Sequence, residues 1–204
     1  MTTSTTHRAG RCGAWPSGGW VQRTTHNASG CGRHIQNGFP NVTLTGHDGK
    51  SYKFYDDLIR GKVVSINMMY AVCSGICPVA TANLLQVQKA LGEKVGKDVH
   101  MCSITLLPEN DSRAVLNEYA KAHGIQPGWL FLTGAKADIE LLRRKLGFAF
   151  LDQVADADKS QHTGMVRIGN EPLNRWSMTP TLGKPMTIAQ SILSIEGKGT
   201  RLAA

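Results

Sequence analysis

Acidic residues are absent from the chain before Asp48. The same stretch supplies half of the net charge of +8 through Arg8, Arg11, Arg23 and Arg33. Runs of lysine and arginine, or basic residues interleaved with aromatic ones, are also absent, although nucleic-acid-binding surfaces commonly have them. We therefore expect no nucleic-acid partner in spite of the positive charge.

A segment able to cross a membrane is missing as well. The longest uncharged run, residues 63–88, contains polar side chains that are costly in hydrocarbon, among them Ser65, Asn67, Ser74 and Gln86. The first forty residues have no apolar stretch typical of a signal peptide and no adjacent arginine pair. We expect no transmembrane segment, no signal peptide or membrane anchor in this chain, and a monomer.

Cysteines are few and odd in number: Cys12, Cys31, Cys73, Cys77 and Cys102. A small secreted domain held together by disulfides would have more of them, in pairs. This count instead fits one functional pair accompanied by cysteines without a role.

The composition divides the chain into two parts. Residues 1–38 are rich in Gly, Ser, Thr, Arg and Asn and show no hydrophobic period, which predicts a disordered extension. Residues 39–204 show a hairpin signal at His47-Asp48-Gly49, three strand–helix units, an antiparallel strand pair around Gly169-Asn170 and a closing helix. This order predicts an α/β domain with a mixed sheet flanked by helices.

Two cysteines follow the most apolar predicted strand, in the segment Cys73-Ser-Gly-Ile-Cys77-Pro78. Pro78 is predicted to be the first helical residue, which makes Cys77 the N-cap, where the helix dipole stabilises a thiolate. Three residues separate the cysteines, whereas redox thioredoxins have two, so both sulfurs can face one external centre. Two thiolates favour Cu(I) or Zn(II) and need a further ligand.

The third ligand has one favoured candidate among the histidines of the folded part. His47 lies in a predicted turn, His100 within a strand and His123 at a helix end, whereas His162 follows a long acidic loop and opens a strand. That loop, with Asp152, Asp156 and Asp158, is predicted to be solvated, docking of a basic partner being the alternative. Cys102, Met68 and Met69 are predicted to fill the core.

Residues 39–178 resemble the Sco/SenC family, thioredoxin-fold proteins of cytochrome c oxidase assembly. The resemblance rests on the cysteine segment and on His162 about 85 residues later. Further matches are the segments 103–111, 118–119 and 131–134. The sequence departs from the family pattern at Ser74, Leu107 and Gln161.

The resemblance implies a thioredoxin-like fold and one copper ion held by Cys73, Cys77 and His162, with Cu(I) favoured and Cu(II) allowed. It also implies a partner, either the copper-centre subunit of a respiratory oxidase or another copper or thiol acceptor, and an extracytoplasmic location.

Three functions remain open at this point. The first is a copper metallochaperone or thiol reductant for the oxidase copper centre. The second is a thiol–disulfide oxidoreductase or peroxidase-like enzyme that uses Cys73 and Cys77 without a stable metal. The third is an interaction module whose binding surface changes when the two cysteines form a disulfide.

Overall fold

The structure, a computed structural model, describes residues 35–36, 38–72, 75–152, 154, 156 and 164–197. Cys73 and His162 lie outside the described residues, and so does nearly all of the predicted extension 1–38.

The strands are β1 (Ile35–Gln36), β2 (Phe39–Pro40), β3 (Thr43–Gly46), β4 (Ser51–Lys53), β5 (Val63–Met69), β6 (Val99–Thr105), β7 (Trp129–Gly134), β8 (Met165–Asn170) and β9 (Arg175–Pro180). The α-helices are α1 (Ile76–Leu91), α2 (Arg113–Ala122), α3 (Lys136–Lys145) and α4 (Pro185–Glu196). A π-helical segment, Phe54–Ile59, and a 3₁₀ turn, Gly92–Lys94, complete the regular elements of the described residues.

Seven strands form one mixed sheet in the order β4-β3-β7-β6-β5-β8-β9. The central strands β5, β6 and β7 are parallel, and β3, β4, β8 and β9 join antiparallel at the two sides. The mixed sheet predicted from the order of elements is confirmed.

The core has two layers because β5 is buried on both faces. Its residues alternate, with Val63 and Met69 on one face and Val64, Ile66 and Met68 on the other. The first face is covered by α1, α2 and α4, and the second by α3 and the π-helical segment. Strands covered on both faces read as continuous apolar runs, which explains the composition of this stretch.

Strand β5 contains two polar residues, Ser65 and Asn67, and hydrogen bonding within the core accounts for Asn67. Asn67 is 4% exposed, and its Oδ1 accepts from Ser103 Oγ at 2.7 Å. The Ser103 hydroxyl in turn accepts from Trp129 Nε1 at 2.8 Å. The chain of hydrogen bonds joins β5, β6 and β7 beneath α1 and α2, so the polar groups are paired within the core.

The turn of the last strand pair is not where the sequence predicted it. Gly169 and Asn170 are strand residues that pair with Trp176 and Arg175, and the turn is formed by residues 171–174. Asn174 takes the positive φ, 48°, that the turn needs. Gly169 is glycine for packing, because a Cβ there would lie 2.0 Å from the Trp176 ring.

Candidate metal and thiol site

The topology brings the two candidate ligand segments to the same edge of the sheet. The segment with the cysteines follows the carboxyl end of β5, and the segment after His162 leads into the start of β8. Since β8 pairs antiparallel with β5, with Val166 opposite Asn67, its start lies beside the end of β5.

Cys77 lies in the first turn of α1, but not at the predicted position. The helix begins at Ile76 with Gly75 as N-cap, so Cys77 is the second helical residue and Pro78 the third. The prediction of Cys77 as N-cap is therefore wrong by two positions. Proline is accepted because the first N–H groups of a helix have no intrahelical partner in any case.

The Cys77 side chain is buried, with 1% exposure, and packs in the core layer that also contains Met69, Val166 and Ile188. Cys77 belongs to the first turn of α1, the part of a helix whose unpaired N–H groups favour an anionic sulfur. A thiolate here can serve as a soft metal ligand or take part in disulfide exchange.

Gly164 brings the start of β8 against the first turn of α1. Its φ is +56°, and a Cβ at this position would lie 2.6 Å from Ile76 Cδ1. The Gly164 carbonyl accepts from the Thr181 N–H at 2.8 Å and from Thr181 Oγ1 at 2.7 Å. Gly164 follows His162 by two residues and Ile76 precedes Cys77 by one, so the contact joins two segments far apart in sequence.

Asp111 precedes α2 in this region, and the sequence did not mark it as a site residue. Ser112 is the N-cap of α2, its Oγ accepting from Val115 N at 3.4 Å. Asp111 is fully buried instead, and its Oδ2 accepts from the Ala71 N–H at 3.0 Å and from Thr105 Oγ1 at 2.5 Å. The sequence did contain one signal for a separate role of Asp111. A helix needs one N-cap residue, and two residues of the preferred types, Asp111 and Ser112, precede α2.

Asp156 corrects the prediction of a solvated acidic loop. It is 8% exposed, and its carboxylate accepts from both terminal nitrogens of Arg143, which is itself 3% exposed. Its Oδ1 also accepts from the Phe150 N–H at 2.8 Å. Asp156 thus fixes the loop to α3, whereas Asp152 is exposed as predicted and Asp158 lies outside the described residues.

The remaining candidates lie where the sequence predicted. Burial raises the pKa of the Cys102 thiol to about 12, and the residue packs as a small apolar side chain on the second face of β6. Met68 and Met69 are core residues. His100 lines a cavity of about 460 Å³ with Lys62, near the other end of β6.

The described residues contain no group of three or more His, Cys, Asp or Glu side chains arranged for a metal. The predicted set of Cys73, Cys77 and His162 has only Cys77 within them. The donor chemistry of that set, two thiolates and one imidazole, fits Cu(I).

Comparison with known proteins then decides the family. The sequence profile of the SCO1/SenC family matches residues 35–195. The chain belongs to the SCO1/SenC family. A relative from Bacillus subtilis (strain 168), a SCO1 protein homolog, is 29% identical over 123 residues. That alignment spans 59% of this chain and 62% of the relative, less than two thirds of the relative's length.

Solved structures of Sco proteins share the fold. ScoI of Bradyrhizobium japonicum with copper bound has a TM-score of 0.60 and 23% identity, covering 75% of this chain and 96% of its own. A SCO1/SenC family lipoprotein of Bacillus anthracis str. Ames has a TM-score of 0.63 and 22% identity, covering 76% and 92%. The thioredoxin-like fold implied by the resemblance is confirmed.

A third structure, BsSco, is a member of the Sco family of cytochrome c oxidase assembly proteins in which a disulfide switch was identified. Its TM-score is 0.62 at 23% identity, covering 77% of this chain and 92% of its own. The family thus includes copper-bound and oxidase-assembly proteins. Within the described part of this Sco protein, no helix has the length and apolar character to span a membrane.

Proposed function

We propose that this Sco protein binds one copper ion through Cys73, Cys77 and His162 and passes it to a copper-centre subunit of a respiratory oxidase or a comparable thiol acceptor. The observation that carries the proposal is the contact of Gly164 with Ile76. It supports a site in which a histidine just before β8 and a cysteine pair at the start of α1 act together.

Copper is the cargo in this proposal, and the protein supplies its ligands. Two thiolates and a neutral imidazole suit Cu(I), and a site of low coordination leaves room for an incoming thiol from the acceptor. Oxidation of the pair to a disulfide removes both thiolates and two electrons, so an oxidised chain cannot hold the ion. The B. anthracis lipoprotein supports an extracytoplasmic place of action.

Titration with Cu(I) under anaerobic conditions, against a competing chelator, tests the proposal. We expect one ion per chain, and at least ~100-fold weaker binding in Cys73→Ala, Cys77→Ala and His162→Ala, since loss of even a supporting group costs about 10–100-fold. Cys102→Ala is the matched control, because that thiol is buried in the other core layer and its loss leaves the three ligands in place. Equal affinity in wild type and all three ligand variants contradicts the proposal.

A second function is favoured by the burial of Cys77. In thiol–disulfide exchange a buried thiol can resolve a mixed disulfide that the first cysteine forms with a substrate. The pair would then give two electrons and two protons to the substrate disulfide. Reduction of a disulfide peptide that persists in His162→Ala, in a protein that retains no copper, selects this function over the first.

A further inference from the structure

A buried carboxylate lies next to the segment with the cysteines and outside the proposed ligand set. Asp111 is 0% exposed, although aspartate is almost never fully buried unless it is paired. No salt bridge to it occurs among the described residues, and its Oδ1 is buried there without a hydrogen-bond partner. An atom left in that state costs stability, so its retention calls for a reason beyond folding.

The paired oxygen of Asp111 shows what the side chain does. The last ladder contact of β5 with β6 at this edge is the Leu106 N–H to Met69 carbonyl bond, at 2.8 Å. Two residues after Met69, the N–H of Ala71 donates to Asp111 Oδ2. Asp111 therefore holds the backbone of the chain in place just after β5 has ended.

Asp111 is itself held in place from β6. Thr105 Oγ1 donates to the same Oδ2 and accepts from the Leu107 N–H at 3.0 Å. The Asp111 N–H donates to the Leu107 carbonyl at 2.9 Å. Backbone and side chain are both fixed, so the position of the Ala71 amide is determined by β6 and its turn.

We propose that Asp111 is a positioning residue for the thiol pair, acting through the hydrogen bond that it accepts from Ala71. Ala71 precedes Cys73 by two residues, a length of chain that reaches about 7 Å at most. The carboxylate thus sets the direction in which the chain leaves β5 toward the first cysteine. This inference rests on the proposed role of the pair, but it applies to copper binding and to disulfide exchange alike.

Two substitutions separate the hydrogen bond from the charge. Asp111→Asn keeps an acceptor oxygen for Ala71 and Thr105 and places its amide where Oδ1 has no partner. Asp111→Ala removes the acceptor. We expect the equilibrium constant of the pair with glutathione to change by about tenfold in Asp111→Ala, which is about 30 mV for a two-electron couple. Copper affinity falls by about the same factor, and Asp111→Asn stays within about threefold of wild type for both.

Ser112→Ala is the matched control, because it removes the N-cap of α2 next to Asp111 and lowers stability without touching Ala71. We expect its glutathione equilibrium to equal that of wild type. An unchanged equilibrium in Asp111→Ala, or an equal change in Asp111→Asn or Ser112→Ala, overturns the inference.

A measurement on the wild type keeps the test decisive where Asp111→Ala does not fold. The Ala71 amide should be protected from hydrogen exchange, and rapid exchange there overturns the inference. Copper is not needed for either readout. A wild-type protein that binds no copper therefore contradicts the proposed function alone, whereas a thiol equilibrium insensitive to Asp111→Ala contradicts this inference alone.

Discussion

His47 holds the β3–β4 hairpin to β7 through two hydrogen bonds with one residue. The backbone N–H of His47 donates to the Phe131 carbonyl at 2.8 Å, and the ring Nδ1 of His47 accepts from the backbone N–H of Phe131 at 3.1 Å. Burial lowers the pKa of His47, and the Asp48 carboxylate opposes this shift without reversing it. A proton on Nδ1 would also remove the acceptor that the Phe131 amide uses.

The sign of the pH dependence follows from that direction. The folded-state pKa of His47 lies below its unfolded value of about 6.5, so the unfolded chain binds more protons below that pH. The stabilisation that neutral His47 provides is complete above pH ~6.5 and is lost as the pH falls through the folded-state pKa of His47. His47→Asn keeps an acceptor near the Nδ1 position and does not titrate. We expect it to match wild type in urea unfolding at pH 8 and to lose less stability than wild type at pH 5, and equal losses at pH 5 would contradict this.

At the scale of elements, the contact between α1 and the start of β8 can be measured as a coupling. Gly164→Ala adds a left-handed strain of about 1 kcal/mol and a clash with Ile76 Cδ1 of similar size. We expect a loss of about 2 kcal/mol in the free energy of unfolding. Ile76→Val removes Cδ1, so the double variant should be about 1 kcal/mol more stable than the sum of the single changes predicts.

Gly61→Ala is the matched control for Gly164→Ala. Gly61 has a φ of +72°, and nothing lies within 4 Å of the position where its Cβ would be. It therefore reports the left-handed strain without a clash. Gly164→Ala should lose about 1 kcal/mol more than Gly61→Ala. If both lose the same amount, the close approach of the two segments is not present in solution.

Many of the helices and strands of the molecule can be predicted from local sequence patterns. The features that cannot be predicted depend on contacts between residues far apart in the sequence. The apolar run of β5 and the helical spacing of Leu84, Val87 and Leu91 predict these two elements because both signals are local. The pairing of β3 with β7 joins residues 86 to 90 positions apart, and no local signal contains it. The candidate ligands could be proposed from spacing and resemblance, whereas the inward turn of Asp156 depends on Arg143 in α3.

Copper should stabilise the folded chain, and the size of the effect should differ between ligands that are close together in the sequence and a ligand that is far from them. At a free ion concentration 100 times the dissociation constant, binding to the folded state alone adds about 2.7 kcal/mol, or roughly 5–10 °C in the unfolding midpoint for a domain of this size. Cys73 and Cys77 are close in sequence and can bind the ion in the unfolded chain too, which reduces the gain. His162 is 85 residues beyond Cys77 in the sequence, and in the proposed site it joins the cysteines only after β8 has paired with β5.

We therefore expect wild type to gain most of that increase and His162→Ala to gain less than half of it, each measured at the same multiple of its own dissociation constant. Cys77→Ala should gain nothing at the wild-type copper concentration, and Cys102→Ala should gain as much as wild type. The measurement is thermal unfolding under anaerobic conditions with buffered Cu(I). A gain in His162→Ala equal to that of wild type would mean that the ion is held by the cysteine pair alone, and that folding of the sheet contributes no ligand.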